Sequence, residues 1–228
     1  MTLAHELGHS VHGLLAGEAQ GGLMQSSPIA LCETASIFGE MITFNHLLSE
    51  MRDQKKEKLE LIVSKLDDII GSVVRQISFS NFERKLHGWK AKTNKWETPA
   101  KLSVEELDNM WLETTYEMYG EPGEIFTYKN ADHLWSYISH FHRPFYVYGY
   151  AFGELLTQSL YSVRDKFGEK FEPLYLDMLR AGSTKDVVEL CAPFGLNPTL
   201  PAFWGNGIDV SMGRMLDEAE KLLAETRK

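Results

Sequence analysis

The first residues of the chain carry two histidines and a glutamate at a spacing that suits metal chemistry. His5, Glu6 and His9 form the pattern H-E-x-x-H. Positions four apart share one face of a helix, so His5 and His9 can direct imidazole nitrogens at one cation. Glu6 is rotated by about 100° from His5 and can reach a water on that cation without binding the metal. This pattern is typical of zinc peptidases, with two ligands and a general base. A helix with two unrelated histidines remains the alternative.

Glu33 is the candidate for the third protein ligand that a hydrolytic zinc site needs beside an open position for water. It opens a second run of apolar residues at helical spacing, namely Ile37, Met41, Phe44 and Leu48. The glycine- and serine-rich stretch 17–28 can turn the chain back, so Glu33 can face His5 and His9 across two antiparallel helices. Glu40 lies seven residues on, on the same face, where it can hydrogen-bond a ligand histidine. The alternative for Glu33 is a carboxylate favoured by the helix dipole.

These two segments together resemble one family of peptidases. H-E-L-G-H-S-V-H at residues 5–12 and E-T-A-S-I-F-G-E at residues 33–40 are similar to the oligoendopeptidase F branch of the thimet-oligopeptidase-like zinc metallopeptidases. The resemblance implies one zinc ion bound by His5, His9 and Glu33, with Glu6 as the catalytic glutamate. It also implies oligopeptide substrates, since the channel of this family is too enclosed for folded proteins.

A second chemistry-bearing segment, residues 133–150, is rich in histidine and tyrosine. The family that the chain resembles has a motif of this kind, H-F-x-R-x-[FY]-Y-V-Y-x-Y, lining the cleft opposite zinc. The resemblance implies catalytic roles for His140 and Tyr146 as hydrogen-bond donors to the substrate oxyanion. It implies substrate-binding roles for Tyr148 and Tyr150. The alternative is an aromatic core helix whose hydroxyl groups are satisfied locally.

The composition bounds the class of protein. The 228 residues are 43% hydrophobic and 24% charged, with a formal net charge of −9, which is ordinary for a globular chain. No basic stripe stands out, so nucleic acid is not an expected partner. No apolar run is long enough to cross a membrane, so none is expected as a partner either. Cys32 and Cys191 fit neither a disulfide framework nor a metal-ligand spacing, which favours a cytoplasmic location.

Helical periodicity dominates the rest of the chain, and strand signals are scarce. The apolar spacing of residues 59–77 predicts one long helix, and Ser103 begins a capping box at the start of another. Pro144 is expected in the first turn of a further helix. Residues 204–209 predict a loop that contains two glycines. We therefore predict an all-α fold: a multi-helix, zincin-type catalytic domain with little or no sheet, spanning residues 1–228 as a single domain. Because the catalytic helix begins almost at the first residue, we expect the C-terminal part of a longer peptidase, whose N-terminal portion is a candidate partner.

The hypothesis from sequence is a zinc-dependent metalloendopeptidase that hydrolyses oligopeptides with a zinc-bound water activated by Glu6. Two alternatives remain. The chain can be a zinc-binding helical fragment that catalyses nothing without its N-terminal half, or a zinc carboxypeptidase with the same helix. An exopeptidase releases single C-terminal residues, so analysis of the products separates the carboxypeptidase from the hypothesis.

Overall fold

Helices account for most of the structure, a computed structural model that describes residues 1–51, 53–99 and 101–227. The fold is 72% helical, and its described residues contain one small two-stranded sheet. The predicted all-α class is therefore confirmed. By its internal contacts the chain divides into two units, the first made of Met1–Ile70 and Phe152–Lys228 and the second of Gly71–Ala151.

The helices are joined by connections of different lengths, the longest of which covers residues 120–147. They are α1 (Thr2–Gln20), α2 (Ile29–Cys32), α3 (Thr34–Glu50), α4 (Lys55–Ile69), α5 (Arg75–Leu86), α6 (Val104–Tyr119), α7 (Tyr148–Phe167), α8 (Phe171–Arg180), α9 (Val187–Cys191), α10 (Pro201–Ile208) and α11 (Arg214–Thr226). Short 3₁₀ segments lie at Leu134–Tyr137, Ser139–His142, Gly168–Lys170 and Ala192–Phe194, and π-helical turns at Ile70–Val74 and Asp209–Gly213. None of the described helices combines the length and apolar character needed to cross a lipid bilayer.

The core of the first unit is aromatic and lies under α3. Phe38 of α3 stacks on Tyr175 and Phe171 of α8, with ring centroids 4.4 and 5.8 Å apart. The hydroxyl of the buried Tyr175 donates a hydrogen bond to the Thr34 carbonyl at 3.1 Å. Because a buried hydroxyl needs a partner, this bond ties the first turn of α3 to α8.

A close crossing of α1 and α3 is made possible by glycine on both helices. A Cβ at Gly8 would overlap the Ala35 carbonyl oxygen, and a Cβ at Gly39 would lie 2.9 Å from the Ala4 carbonyl oxygen. With no side chain at either position, the two backbones come into direct contact. The crossing therefore carries the histidine face of α1 up to the N-terminal end of α3.

The second unit is organised by aromatic contacts between α5 and α6. Phe79 and Phe82 each lie 5.4 Å from Trp111, measured between ring centroids. A small hairpin follows α5, in which β1 (Trp89–Lys90) pairs antiparallel with β2 (Lys95–Trp96). The capping box at Ser103 is confirmed: its hydroxyl accepts the Glu106 amide at 3.3 Å, and the Glu106 carboxylate accepts the Ser103 amide at 2.7 Å.

Two helix boundaries differ from those predicted. The long helix expected at residues 59–77 is divided between α4 and α5, because a π-helical turn that includes Gly71 changes the helical register. The turn expected to start at Gly17 begins only after Gln20. Gly17 packs its backbone against the Gln25 side chain, whose Cδ would lie 3.2 Å from a Cβ added at this glycine, and the helix continues past it.

Two further predictions of local structure are wrong. No helix starts at Pro144, because Phe145 has φ +60°, a value that excludes a right-handed helix, and α7 begins at Tyr148. The predicted loop 204–209 is mostly helix α10. Gly207 serves close packing there rather than a turn, since a Cβ would lie 3.0 Å from the Leu155 carbonyl oxygen of α7.

Gly8→Ala is expected to lower the free energy of unfolding by about 1–3 kcal/mol, because the added methyl group overlaps α3 backbone. Gly13→Ala is a matched control on the same helix. A methyl there meets only Gln25 Nε2, at 3.6 Å, and removing a helical glycine stabilises by about 0.5–1 kcal/mol. Urea unfolding followed by circular dichroism measures both variants. Equal stabilities would contradict the tight crossing of α1 and α3.

Candidate metal centre and active site

Three side chains from α1 and the start of α3 converge in the first unit. His5 Nε2 and His9 Nε2 are 3.2 Å apart, and Glu33 Oε2 lies 3.4 Å from the first and 3.5 Å from the second. Ligand atoms on one tetrahedral zinc ion, each about 2.0–2.1 Å from it, lie roughly 3.3 Å from one another. The three atoms therefore stand at the separations that one shared ion requires. Within residues 1–51, 53–99 and 101–227, no other group of three potential ligands is found.

The donor set also matches the ion. Two imidazoles and one carboxylate are ligands that zinc prefers. The two Nε2 atoms face each other and the carboxylate, so at most one of the two rings can use its proton in the short contact between them. One cation bound by all three atoms would satisfy all three lone pairs at once. The residues present thus fit a zinc ion, and their role as ligands remains a prediction.

Glu33 is fixed at the boundary between α2 and α3. Its Oε2 accepts a hydrogen bond from Ser36 Oγ at 3.0 Å, and its Oε1 accepts one from the Cys32 thiol at 3.7 Å. Burial, together with the Glu33 charge, raises the pKa of Cys32 to about 11, so the protonated thiol acts as the hydrogen-bond donor here. Gly153 of α7 closes the other side, where a Cβ would lie 2.9 Å from the Glu33 Cβ.

Two further charged residues orient His5 through its Nδ1 atom. Its Nδ1 lies 2.7 Å from Glu40 Oε1, and the other oxygen of Glu40 accepts a hydrogen bond from Lys65 Nζ at 2.6 Å. Burial by itself would raise the pKa of Glu40, but Lys65 and then His5 outweigh it and the pKa is lowered. The carboxylate form of Glu40 accepts the Nδ1–H of His5, which leaves the Nε2 lone pair pointing at the triangle.

Glu6 lies outside the triangle on the exposed face of α1. It is adjacent to His5 in the chain and three positions before His9, which places it beside the histidine face of α1. Glu6 is not among the three grouped potential ligands, and its role as the general base stays a prediction.

In the second unit, one histidine and two tyrosines form an aromatic cluster. His140 Nε2 lies 3.1 Å from the Tyr150 hydroxyl. The His140 ring stacks on Tyr146 with centroids 5.4 Å apart, and Tyr146 meets Tyr150 edge-on at 5.6 Å. Tyr148, at the first position of α7, is exposed and takes part in none of these contacts. The structure thus groups three of the four residues predicted in this segment.

A strained turn sets the position of Tyr146. The preceding Phe145 has φ +60°, a left-handed conformation that costs a bulky residue about 1–2 kcal/mol. Its amide donates a hydrogen bond to Glu83 Oε1 at 2.7 Å, and Glu83 is buried on α5. Burial raises the pKa of Glu83, an effect that the Phe145 amide and His87 reduce. A buried acceptor on another helix therefore holds the turn.

The model of peptidase family M3 matches residues 1–210, which is most of the chain. The chain belongs to this family. The Oligopeptidase PepF of Bacillus subtilis is 31% identical to the chain, in an alignment that covers all of the chain and 32% of the relative's length. The chromosomal Oligoendopeptidase F of Lactococcus lactis is 32% identical, in an alignment that covers 97% of the chain and 35% of the relative's length. The crystal structure of oligoendopeptidase-F from Enterococcus faecium superposes with a TM-score of 0.76 at 26% identity, covering 98% of the chain and 39% of that structure.

Membership of peptidase family M3 confirms the predicted resemblance. It is a family of metallopeptidases and implies a metal ion. The chain spans about a third of the length of the curated relatives it matches.

Lys65, which binds Glu40 beside the candidate metal centre, was not predicted from the sequence. It lies on α4, between Ile62 and Ile69 on the face that packs into the core, and its side chain is only 4% exposed. A lysine on an apolar helical face was the available signal, since buried lysines are rare unless they are paired. Its partner could not be inferred, because Glu40 lies on a different helix.

Glu33→Ala is expected to weaken zinc binding at least 100-fold, since it removes a ligand atom, whereas Glu40→Ala is expected to weaken it about 10–100-fold through the orientation of His5. Competition with a chromophoric chelator measures both affinities. Glu50→Ala, at the far end of α3, is the control and leaves the affinity unchanged. Equal losses for Glu33→Ala and Glu40→Ala would show that Glu33 is not a ligand.

Proposed function

We propose that the chain carries the metal centre of a zinc-dependent metalloendopeptidase that hydrolyses oligopeptides. One zinc ion is held by His5, His9 and Glu33. The observation that carries this proposal is the triangle of their ligand atoms, whose edges of 3.2, 3.4 and 3.5 Å match those of one tetrahedral ion. The family supplies independent support, because peptidase family M3 is a metallopeptidase family.

The place of Glu6 on α1, next to His5, supports its proposed role as the general base. When bound, zinc polarises a carbonyl oxygen and acidifies water, lowering its pKa towards about 7. Glu6 takes the proton of the attacking water and passes it to the nitrogen of the leaving amine. Its exposed carboxylate is next to a ligand yet is not one of the ligands, which suits a group that must exchange protons.

His140 and Tyr146 are proposed as hydrogen-bond donors to the oxyanion of the tetrahedral intermediate, with Tyr148 and Tyr150 binding the substrate. The supporting observation is the cluster in the second unit, in which His140 and Tyr150 share a hydrogen bond and Tyr146 is held by stacking. Donors that are fixed before the reaction need no reorganisation as charge develops.

Oligopeptides are the proposed substrate class. Two relatives are named as an oligopeptidase and an oligoendopeptidase, and the fold matches a solved oligoendopeptidase. A cytoplasmic location is part of the proposal and rests on the cysteine usage of the chain.

A second candidate is a zinc-binding helical fragment that cleaves nothing without further chain. The observation that favours it is the coverage of only about a third of the relatives. Metal analysis of the purified protein and a quenched-fluorescent oligopeptide assay separate the two candidates. Stoichiometric zinc with cleavage supports the enzyme, and zinc without cleavage supports the fragment. Release of single C-terminal residues would instead indicate a carboxypeptidase.

Glu6→Gln is expected to retain stoichiometric zinc and to lower peptide cleavage by about 10²–10⁴-fold, since it removes the general base and leaves the ligands in place. Glu18→Gln makes the same change on the exposed face of the same helix and is expected to keep full activity. Metal content and kcat/KM are measured for both. Loss of zinc with unchanged cleavage per bound ion would refute the assignment of Glu6.

Tyr146→Phe is expected to lower kcat by about 10²–10³-fold with little change in KM, because the lost donor acts on the transition state. Tyr137→Phe removes a hydroxyl from an exposed tyrosine of the same unit and serves as the control. Steady-state kinetics on the oligopeptide substrate separate the two parameters. A rise in KM alone would place Tyr146 in ground-state substrate binding.

A further inference from the structure

Lys65 is linked to His5 by a continuous path of hydrogen bonds across three helices. Its Nζ lies 2.6 Å from Glu40 Oε2, and Glu40 Oε1 lies 2.7 Å from His5 Nδ1. We propose that Lys65 is a positioning residue of the metal centre, which fixes the Glu40 carboxylate so that His5 presents Nε2 to the ion. The proposal deepens the proposed function and rests on His5 being a zinc ligand.

The geometry at Glu40 explains why a second partner is needed. A carboxylate held at one oxygen can still swing about its last side-chain bond. Glu40 is held at both oxygens, by His5 of α1 and by Lys65 of α4, so the plane of the carboxylate is set by two helices. A fixed acceptor in turn fixes both the tautomer and the ring orientation of the histidine.

Stability alone gives a weak reason for a lysine at this position. Lys65 is 4% exposed and shares its helix face with the buried Ile62, Leu66 and Ile69. Taking an ammonium out of water costs several kcal/mol, and an apolar side chain often replaces a buried ion pair without loss of stability. What an apolar side chain cannot do is hold the second oxygen of Glu40.

A purely structural role for Lys65 is the competing explanation. Glu154 of α7 is buried near Lys65, and its carboxyl accepts a hydrogen bond from Gln158 at 2.8 Å. If Lys65 served only to balance this second carboxyl, its removal would disturb the core in the same way whether or not Glu40 is present. A double-mutant cycle between Lys65 and Glu40 distinguishes the two roles.

The experiment measures the zinc affinity of the full 228-residue protein by competition with a chromophoric chelator. Lys65→Met is expected to weaken binding about 10-fold, the lower end of the usual effect of partners behind a ligand. In the Glu40→Gln background, the same substitution is expected to change the affinity less than about twofold. Lys58→Met is the matched control, since Lys58 lies on the same helix and pairs with Glu218 of α11 at 2.7 Å. It is expected to leave the affinity unchanged.

Nitrogen-15 NMR of the metal-free protein gives a readout that does not depend on zinc. The expected spectrum shows His5 as the Nδ1–H tautomer in the wild type and in Lys58→Met, and as a mixture of tautomers in Lys65→Met. His12, whose Nε2 lies 2.9 Å from Ser27 Oγ, is the internal reference and should not change.

Two results would overturn the proposal: an affinity of Lys65→Met within about twofold of the wild type, or an equal loss in both Glu40 backgrounds. If Lys65→Met does not fold, Lys65→Gln takes its place, and the same cycle applies with an expected loss of about two- to tenfold. Failure of the proposed function looks different. In that case the wild type binds no stoichiometric zinc, or Glu33→Ala binds it as tightly as the wild type.

Discussion

The contact between the backbones of α1 and α3 is the constraint on which the candidate metal centre depends. Gly8 lies against Ala35, and Gly39 lies against Ala4, so the two helices approach more closely than side chains would allow. His5 and Glu33 are 28 positions apart in the sequence, yet their ligand atoms are separated by 3.4 Å. A helix axis displaced by the thickness of a methyl group would leave the carboxylate short of both imidazoles.

The close approach of His5, His9 and Glu33 costs free energy, which the surrounding residues must offset. Two imidazole lone pairs and a carboxylate that face one another repel, or lose hydration, unless a cation lies among them. The structure holds each of them from outside: Ser36 binds Glu33, and Glu40 binds His5. Ser36 is buried and Glu40 is held on its other oxygen by the buried Lys65, so the fold itself sets the positions of the three ligand atoms.

The sequence predicted the part of the site that depends on local spacing. H-E-x-x-H places His5 and His9 on one face by helical periodicity alone, and the all-α class follows from periodicity in the same way. Family resemblance added Glu33, which spacing could only suggest. Lys65 could not be predicted, because its partner lies on another helix, and no pattern within α4 specifies which carboxylate it meets. The predicted helix start at Pro144 was wrong. Local helix propensity does not include the carboxyl of Glu83, which lies on another helix and stabilises the left-handed conformation of Phe145.

In both units, a glutamate carboxyl accepts a hydrogen bond that fixes a residue of another segment. In the first, Glu40 of α3 accepts the Nδ1–H of His5 on α1, and in the second, Glu83 of α5 accepts the amide of Phe145. Glu83 is buried and Glu40 is partly buried. Taking a carboxyl out of water costs free energy, and the short hydrogen bond that it makes to a fixed group permits little rotation. Apolar packing is non-directional and could not orient an imidazole or a strained turn to this degree. Glu40 and Glu83 therefore lie where direction matters, while the aromatic contacts of Phe38 in the first unit and of Trp111 in the second supply stability that offsets their cost.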